Sequence, residues 1–196
     1  MRETNERRRR VAVYCGSADG SDPRYLAEAR ALGEAIAAAG MGLVYGGASV
    51  GLMGAVADAA LAGGAEVIGV LPEVLAGRAI AYAGLIALEM LPTMHERKAR
   101  MHALADAFFA FPGGYGTLDE LFEALTLIQT DKVNDFPVVL FGSDYWRGMA
   151  DWITGRLLAD GKISPGDDTL FRITDDPRFA VRTLLDTKRR YHLTAV

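Results

Sequence analysis

A chain of 196 residues, 51% hydrophobic and 23% charged, is long enough for one large core and short for two. Its net charge of −4 argues against nucleic acid as a partner, and no apolar stretch approaches the ~18 residues of a membrane helix. A single cysteine excludes an internal disulfide and suits a reducing, cytoplasmic setting.

The opening MRETNERRRR has no hydrophobic segment behind its arginines, so residues 1–10 are expected to be a solvated basic tail rather than a secretory signal, and residues 11–196 one domain. Val11 to Tyr14 predicts a first strand, and Cys15-Gly16-Ser17 turns it toward a helix with Asp22 as N-cap, Pro23 at its first position and Gly40 at its end. Leu43 to Tyr45 predicts the second strand, followed by a glycine-rich turn, Gly46 to Gly54 (GGASVGLMG), and a small-residue helix over Ala55 to Leu61 stopped by Gly63-Gly64. Val67 to Leu71 is the third strand, Ala76 to Gly84 a loop or short helix, and Leu85 to Leu91 the fourth strand. Thr93 opens a helix through the capping box Thr93-Met94-His95-Glu96. Ala107 to Phe111 is a buried fifth strand and Val138 to Phe141 a sixth. Tyr145 to Ala159 is a helix, Phe171 to Thr174 a last strand and Pro177 to Tyr191 a C-terminal helix.

Short apolar strands alternating with helices imply a doubly wound α/β fold, a mostly parallel sheet with helices on both faces. Ligands of such sheets bind beyond the carboxyl ends of the strands. Three of those ends carry glycine turns here: Gly16-Ser17, the stretch opened by Gly46 and Gly47, and Gly113 to Gly116. Together they predict a crevice lined by backbone amides.

The third turn, in FPGGYGTLDELFE, passes through three glycines in four positions and enters a helix on which Leu118, Leu121, Phe122 and Leu125 share a face. A glycine turn feeding a helix N-terminus is a site for a phosphate. Thr117 and Glu120 also fit a capping box, which would account for both. A carboxylate aimed at the same phosphate would repel it, so the other reading turns Glu120 toward a sugar hydroxyl, a water or Arg97.

Arg97 is the anomaly of the preceding helix. Met94, Arg97, Met101 and Leu104 are three and four residues apart, which puts a guanidinium on the apolar stripe, where it cannot be buried unpaired. Either it forms a structural ion pair or snorkels to the surface, or it reaches a ligand or carboxylate in the crevice. Lys98 lies about 100° around the helix and is expected to face solvent, phosphate or a partner subunit.

Other chemistries lack their motifs. The first turn, CGSADG, is not G-x-G-x-x-G, no glycine precedes a Lys-Ser/Thr pair, and G-x-S-x-G is absent, leaving Ser17 and Ser49 as phosphate or cap hydroxyls. His95, His102 and His192 form no metal motif, Cys15 has no evident base, and none of Lys98, Lys132, Lys162 or Lys188 has the context of a Schiff-base lysine. Neither metal nor cofactor is expected.

The set YGGASVGLMG, MHERKARM and PGGYGTLDE resembles the Lonely Guy family of cytokinin riboside 5′-monophosphate phosphoribohydrolases, often mislabelled lysine decarboxylases. The likeness runs from about Val11 to about Asp176. It implies a Rossmann-like fold, a homodimer or higher assembly, and hydrolysis of a nucleoside monophosphate to free base and ribose 5-phosphate. It also implies Arg97 and Glu120 as catalytic residues, with Met94, Lys98, Gly114, Tyr115, Gly116, Thr117 and Thr126 contacting the ligand. Two positions depart from the family pattern: Ala48 replaces the third glycine of YGGG, and Ala79 stands after Arg78 where members commonly have glutamate. The segment Gln129 to Lys132, with FPVVLFG and YW, resembles a bacterial branch of the family with activity on adenosine monophosphate. The rival expectation is a nucleotide-binding or carrier protein without turnover, like the related molybdenum-cofactor carriers.

Overall fold

A computed structural model describes residues 8–75, 87–132 and 136–186, with side chains as far as 183. Its seven strands form one parallel sheet in the order β4-β3-β2-β1-β5-β6-β7. They are β1 (Arg10–Tyr14), β2 (Gly42–Tyr45), β3 (Val67–Pro72), β4 (Ala87–Leu91), β5 (Ala107–Ala110), β6 (Val138–Phe141) and β7 (Arg172–Thr174). The helices are α1 (Arg24–Ala38), α2 (Gly51–Ala62), α3 (Met94–Leu104), α4 (Tyr115–Gln129), α5 (Ser143–Trp152) and α6 (Pro177–Asp186). The doubly wound expectation is borne out: central strands β1, β2, β3, β5 and β6 are buried almost throughout, as a sheet covered on both faces requires.

Winding sets the site. The chain steps outward from β1 through β2 and β3 to β4, and α3 then carries it back to β5 on the other side of β1. The order reverses between β1 and β5, paired from Val11↔Ala107 to Tyr14↔Ala110, so the turns after these strands part at their carboxyl ends. A hydrogen bond from Gly16 N to Pro112 O, 3.2 Å, ties the two turns together just beyond the sheet.

Local signals account for most boundaries. Asp22 Oδ1 accepts from Arg24 N at 2.9 Å at the start of α1, but regular helix begins at Arg24, which makes Pro23 rather than Asp22 the N-cap. Gly40, at φ +67°, closes α1 with Gly40 N donating to Ala37 O and Met41 N to Ile36 O, a Schellman ending. Arg10, assigned by sequence to the tail, belongs to β1 and pairs with Glu66 at 2.8 Å. The predicted turn from Gly46 to Gly54 ends early, because α2 starts at Gly51 instead of Ala55. Gly51 has φ +65°, and a Cβ there would stand 2.4 Å from the backbone of Ser17, so this glycine seats the start of α2 against the β1–α1 turn. Ser143 opens α5 two residues before the predicted start, and a π-helical turn, Ile153–Leu158, continues it.

The predicted segment Ala76 to Gly84, with Arg78 and Ala79, lies outside the described residues, as do Leu85, residues 1–7 of the tail, and the chain beyond Asp186 with Lys188, Tyr191 and His192.

Candidate active site

The carboxyl ends of β1, β2, β3 and β5 surround a crevice of about 450 Å³, a size suited to a small organic ligand. Its polar lining comes from Gly16 and Ser17 after β1, Gly114, Gly116 and Thr117 at the start of α4, and Arg97 with Glu120, and its apolar lining from Val50, Met53, Leu71, Pro72 and Leu75.

The helix whose first turn lines this crevice starts earlier than its sequence motif indicates. Gly114 is the N-cap of α4 and no side chain caps it, so Thr117 and Glu120 lie within the helix and the predicted Thr117–Glu120 capping box does not form. The first N–H groups of α4 have no intrahelical acceptor, and three side chains around them are glycine. A Cβ on Gly113 would lie 2.1 Å from Thr117 Oγ1, which fixes glycine at the bend.

Freed from capping, Glu120 meets Arg97. Both are buried, each 4% exposed, and Arg97 Nη1 donates to Glu120 Oε1. Arg97 Nε donates to Val70 O of β3 at 3.2 Å. Gly46 leaves room for the guanidinium, since a Cβ there would come within 2.7 Å of Arg97 Nη2. The arginine thus occupies the apolar stripe of α3 as expected, and its partner is a carboxylate on α4. Burial pulls the guanidinium below its ordinary pKa, but arginine starts so high that it stays charged at neutral pH. The pair reaches the crevice with the carboxylate held in one orientation.

Lys98 does not face solvent. It is 6% exposed and bridges two acids of α4, Asp119 at 2.9 Å and Glu123 at 3.2 Å. Burial alone would lower its pKa, and these bonds more than offset that. Beside it, burial holds the His102 imidazole down at about 4, so it is neutral at physiological pH. Cys15 lines the crevice, yet burial pushes its thiol up to about 12, the opposite of a reactive nucleophile. Among the described residues no three His, Cys, Asp or Glu side chains are grouped so as to hold a metal ion.

The crevice gathers Ser17, Gly46, Met94, Arg97, Gly114, Gly116, Thr117 and Glu120 of the residues singled out by sequence. Met94 stands at its mouth, 40% exposed, and Tyr115 projects outward at 92%. Gly47 turns away, at φ +80°, against Leu71 and Leu88. Thr126 is remote: nine residues along α4 from Thr117 and about half a turn round, it lines a separate cavity of about 150 Å³ with Phe122 and Gln129. Sequence reasoning missed the apolar lining. Of its members Val50 and Met53, inside the GGASVGLMG of the second turn, sat in a motif already singled out, and Leu71, Pro72 and Leu75 did not. Ala48, also in the lining, is not among the described non-glycine residues with positive φ, so its backbone accepts alanine.

Fold and crevice together define a Rossmann-like α/β protein with a glycine-rich turn at a helix N-terminus and a buried arginine–glutamate pair at the topological switch point. The family model described as possible lysine decarboxylase matches residues 53–184. A cytokinin riboside 5′-monophosphate phosphoribohydrolase of Arabidopsis thaliana is 42% identical over 84% of this chain and 76% of its own, and one of Rhodococcoides fascians is 39% identical over 89% and 88%. The chain belongs to this family, the Lonely Guy proteins. In structure it is similar to the molybdenum cofactor binding protein of Rippkaea orientalis, with a TM-score of 0.69 at 22% identity over 92% of this chain and 97% of that one. The Moco carrier protein of Chlamydomonas reinhardtii gives 0.67 at 23% over 91% and 98%; at such identities both likenesses concern the fold.

Proposed function

We propose that this protein hydrolyses the N-glycosidic bond of nucleoside 5′-monophosphates, cytokinin riboside 5′-monophosphate or AMP, to give free base and ribose 5-phosphate. The observation that carries the proposal is the buried Arg97–Glu120 pair opening into a crevice lined by both a glycine turn and apolar side chains. The phosphate takes the N–H groups at the start of α4, and the base lies against Val50, Met53 and Leu75. Cleavage of a ribosyl bond builds cationic charge on the sugar, which an ionised Glu120 stabilises. Water adds to the anomeric carbon as the bond to the base breaks, Glu120 takes the water proton, and the base leaves with the bonding electrons and takes up a proton from solvent. Arg97 keeps that carboxylate ionised and aimed. The names of relatives at about 40% identity support the same reaction. Incubating the protein with AMP, cytokinin riboside 5′-monophosphate and the matching ribosides, then separating the products, tests it. Free base and ribose 5-phosphate should appear from the monophosphates far faster than base from the ribosides, whereas bound nucleotide with no base released would assign a carrier.

A homodimer or larger assembly belongs to the same proposal. Thr126 cannot reach the crevice of its own chain, and with the partly exposed Phe122 it faces outward from α4, where a second copy would bring it to ligand. Light scattering should give at least twice the 21.1 kDa of one chain, and a monomer at working concentration would remove Thr126 from the site.

A further inference from the structure

The glycine turn is held from two sides, and one support has no place in the chemistry described so far. Beyond the Gly16–Pro112 bond, Tyr145 Oη donates to Gly113 O at 2.6 Å. Tyr145 stands in the first turn of α5, whose N-cap, Gly142, bends the chain at φ +102°. Its ring meets Tyr25 of α1 edge-on, centroids 6.5 Å apart, and Trp146 at 4.9 Å. Trp146 is itself fixed, fully buried, with Nε1 donating to Phe141 O at 3.1 Å. Tyr145 is 41% exposed, so its hydroxyl has water as an alternative partner and does not need Gly113 to avoid a buried orphan.

The effect of the bond falls on the next residue. A trans peptide is planar with C=O and N–H on opposite edges, so holding Gly113 O toward α5 aims Gly114 N–H away from α5. Gly114 lines the crevice. Neither Gly113 nor Gly114 has a Cβ to restrict rotation of this peptide, and a Cβ on Gly114 would meet nothing within 4 Å. We propose that Tyr145 is a positioning residue for the phosphate turn, locking the Gly113–Gly114 peptide with its N–H toward the ligand's 5′-phosphate. The proposal rests on the nucleoside monophosphate reading of the crevice.

Tyr145→Phe in the full chain tests it, with binding of inorganic phosphate, AMP and adenosine measured by titration alongside steady-state kinetics on AMP. Loss of one oriented donor should weaken inorganic phosphate and AMP by about tenfold while adenosine changes less than about twofold, and the kinetic loss should fall on KM more than on kcat. A merely structural tyrosine would weaken AMP and adenosine alike, and that result, or unchanged phosphate affinity, overturns the assignment. If the wild-type protein releases no base, the hydrolase reading fails, yet the phosphate, AMP and adenosine titrations still decide the role of Tyr145.

Discussion

Glu120→Gln is expected to lower base release from AMP by about 10³-fold or more, combining a general base contribution of ~10²–10⁴ with loss of the negative charge that faces the cationic sugar. The amide keeps the shape of the side chain and one oxygen, so Arg97 Nη1 retains an acceptor and the guanidinium is not stranded in the core. The fold should therefore survive, with the stability loss below the ~3–5 kcal/mol of a broken buried ion pair. Nucleotide binding should hold or tighten, because the phosphate seat proposed at Gly114 and Gly116 is untouched and a negative charge has been removed from the crevice that would hold the anion. The loss thus belongs to kcat, the sign of an interaction made mainly in the transition state. Chromatography of free base against time, with AMP binding measured separately, checks both halves. Turnover within tenfold of wild type would sink the role given to Glu120.

The sheet was legible because VAVY, AFFAF and VVLF are too short and too uniformly apolar for anything but strands buried on both faces. What sequence could not show was contact between segments far apart in the chain. Gly51 looks like one more loop glycine, yet it begins α2, and the backbone of Ser17 that demands it lies on another turn. Thr117 and Glu120 match a capping box, a local motif, but Gly114 had already started the helix, and the true partner of Glu120 arrives from α3. Arg97 was legible as an anomaly because a charge on an apolar stripe breaks a local rule. Of the options left open for Lys98, the solvent-facing one failed for the complementary reason: helix periodicity tells how residues are arranged around α3, while Asp119 and Glu123, which pair with it, belong to α4. The apolar lining stayed hidden because Val50, Met53, Leu71 and Leu75 look like any core residues until the sheet ends beside them.

Arg97→Met should be as damaging as loss of Glu120 itself, about 10³-fold in base release at neutral pH, and it should also destabilise the fold. Methionine fills the apolar stripe, but Val70 O loses its donor and Glu120 loses its counter-charge inside the protein. A buried carboxylate without a counter-charge favours its neutral acid, and a protonated Glu120 can neither take a proton from water nor stabilise a cation. Raising the pH drives that proton off, so the variant should regain part of its activity at alkaline pH where the wild type shows no such rise. Unfolding should cost the single variant about 3 kcal/mol, roughly 6–12 °C in Tm for a chain of this length. Arg97→Lys should not rescue it, because an ammonium lacks the planar fork that serves Val70 O and Glu120 together. The double variant Arg97→Met/Glu120→Gln separates the two effects: with no stranded charge it should recover most of the lost stability and none of the activity. Urea unfolding of the singles and the double closes that cycle. A double variant as unstable as Arg97→Met would mean that the arginine acts through Val70 and packing rather than through its glutamate.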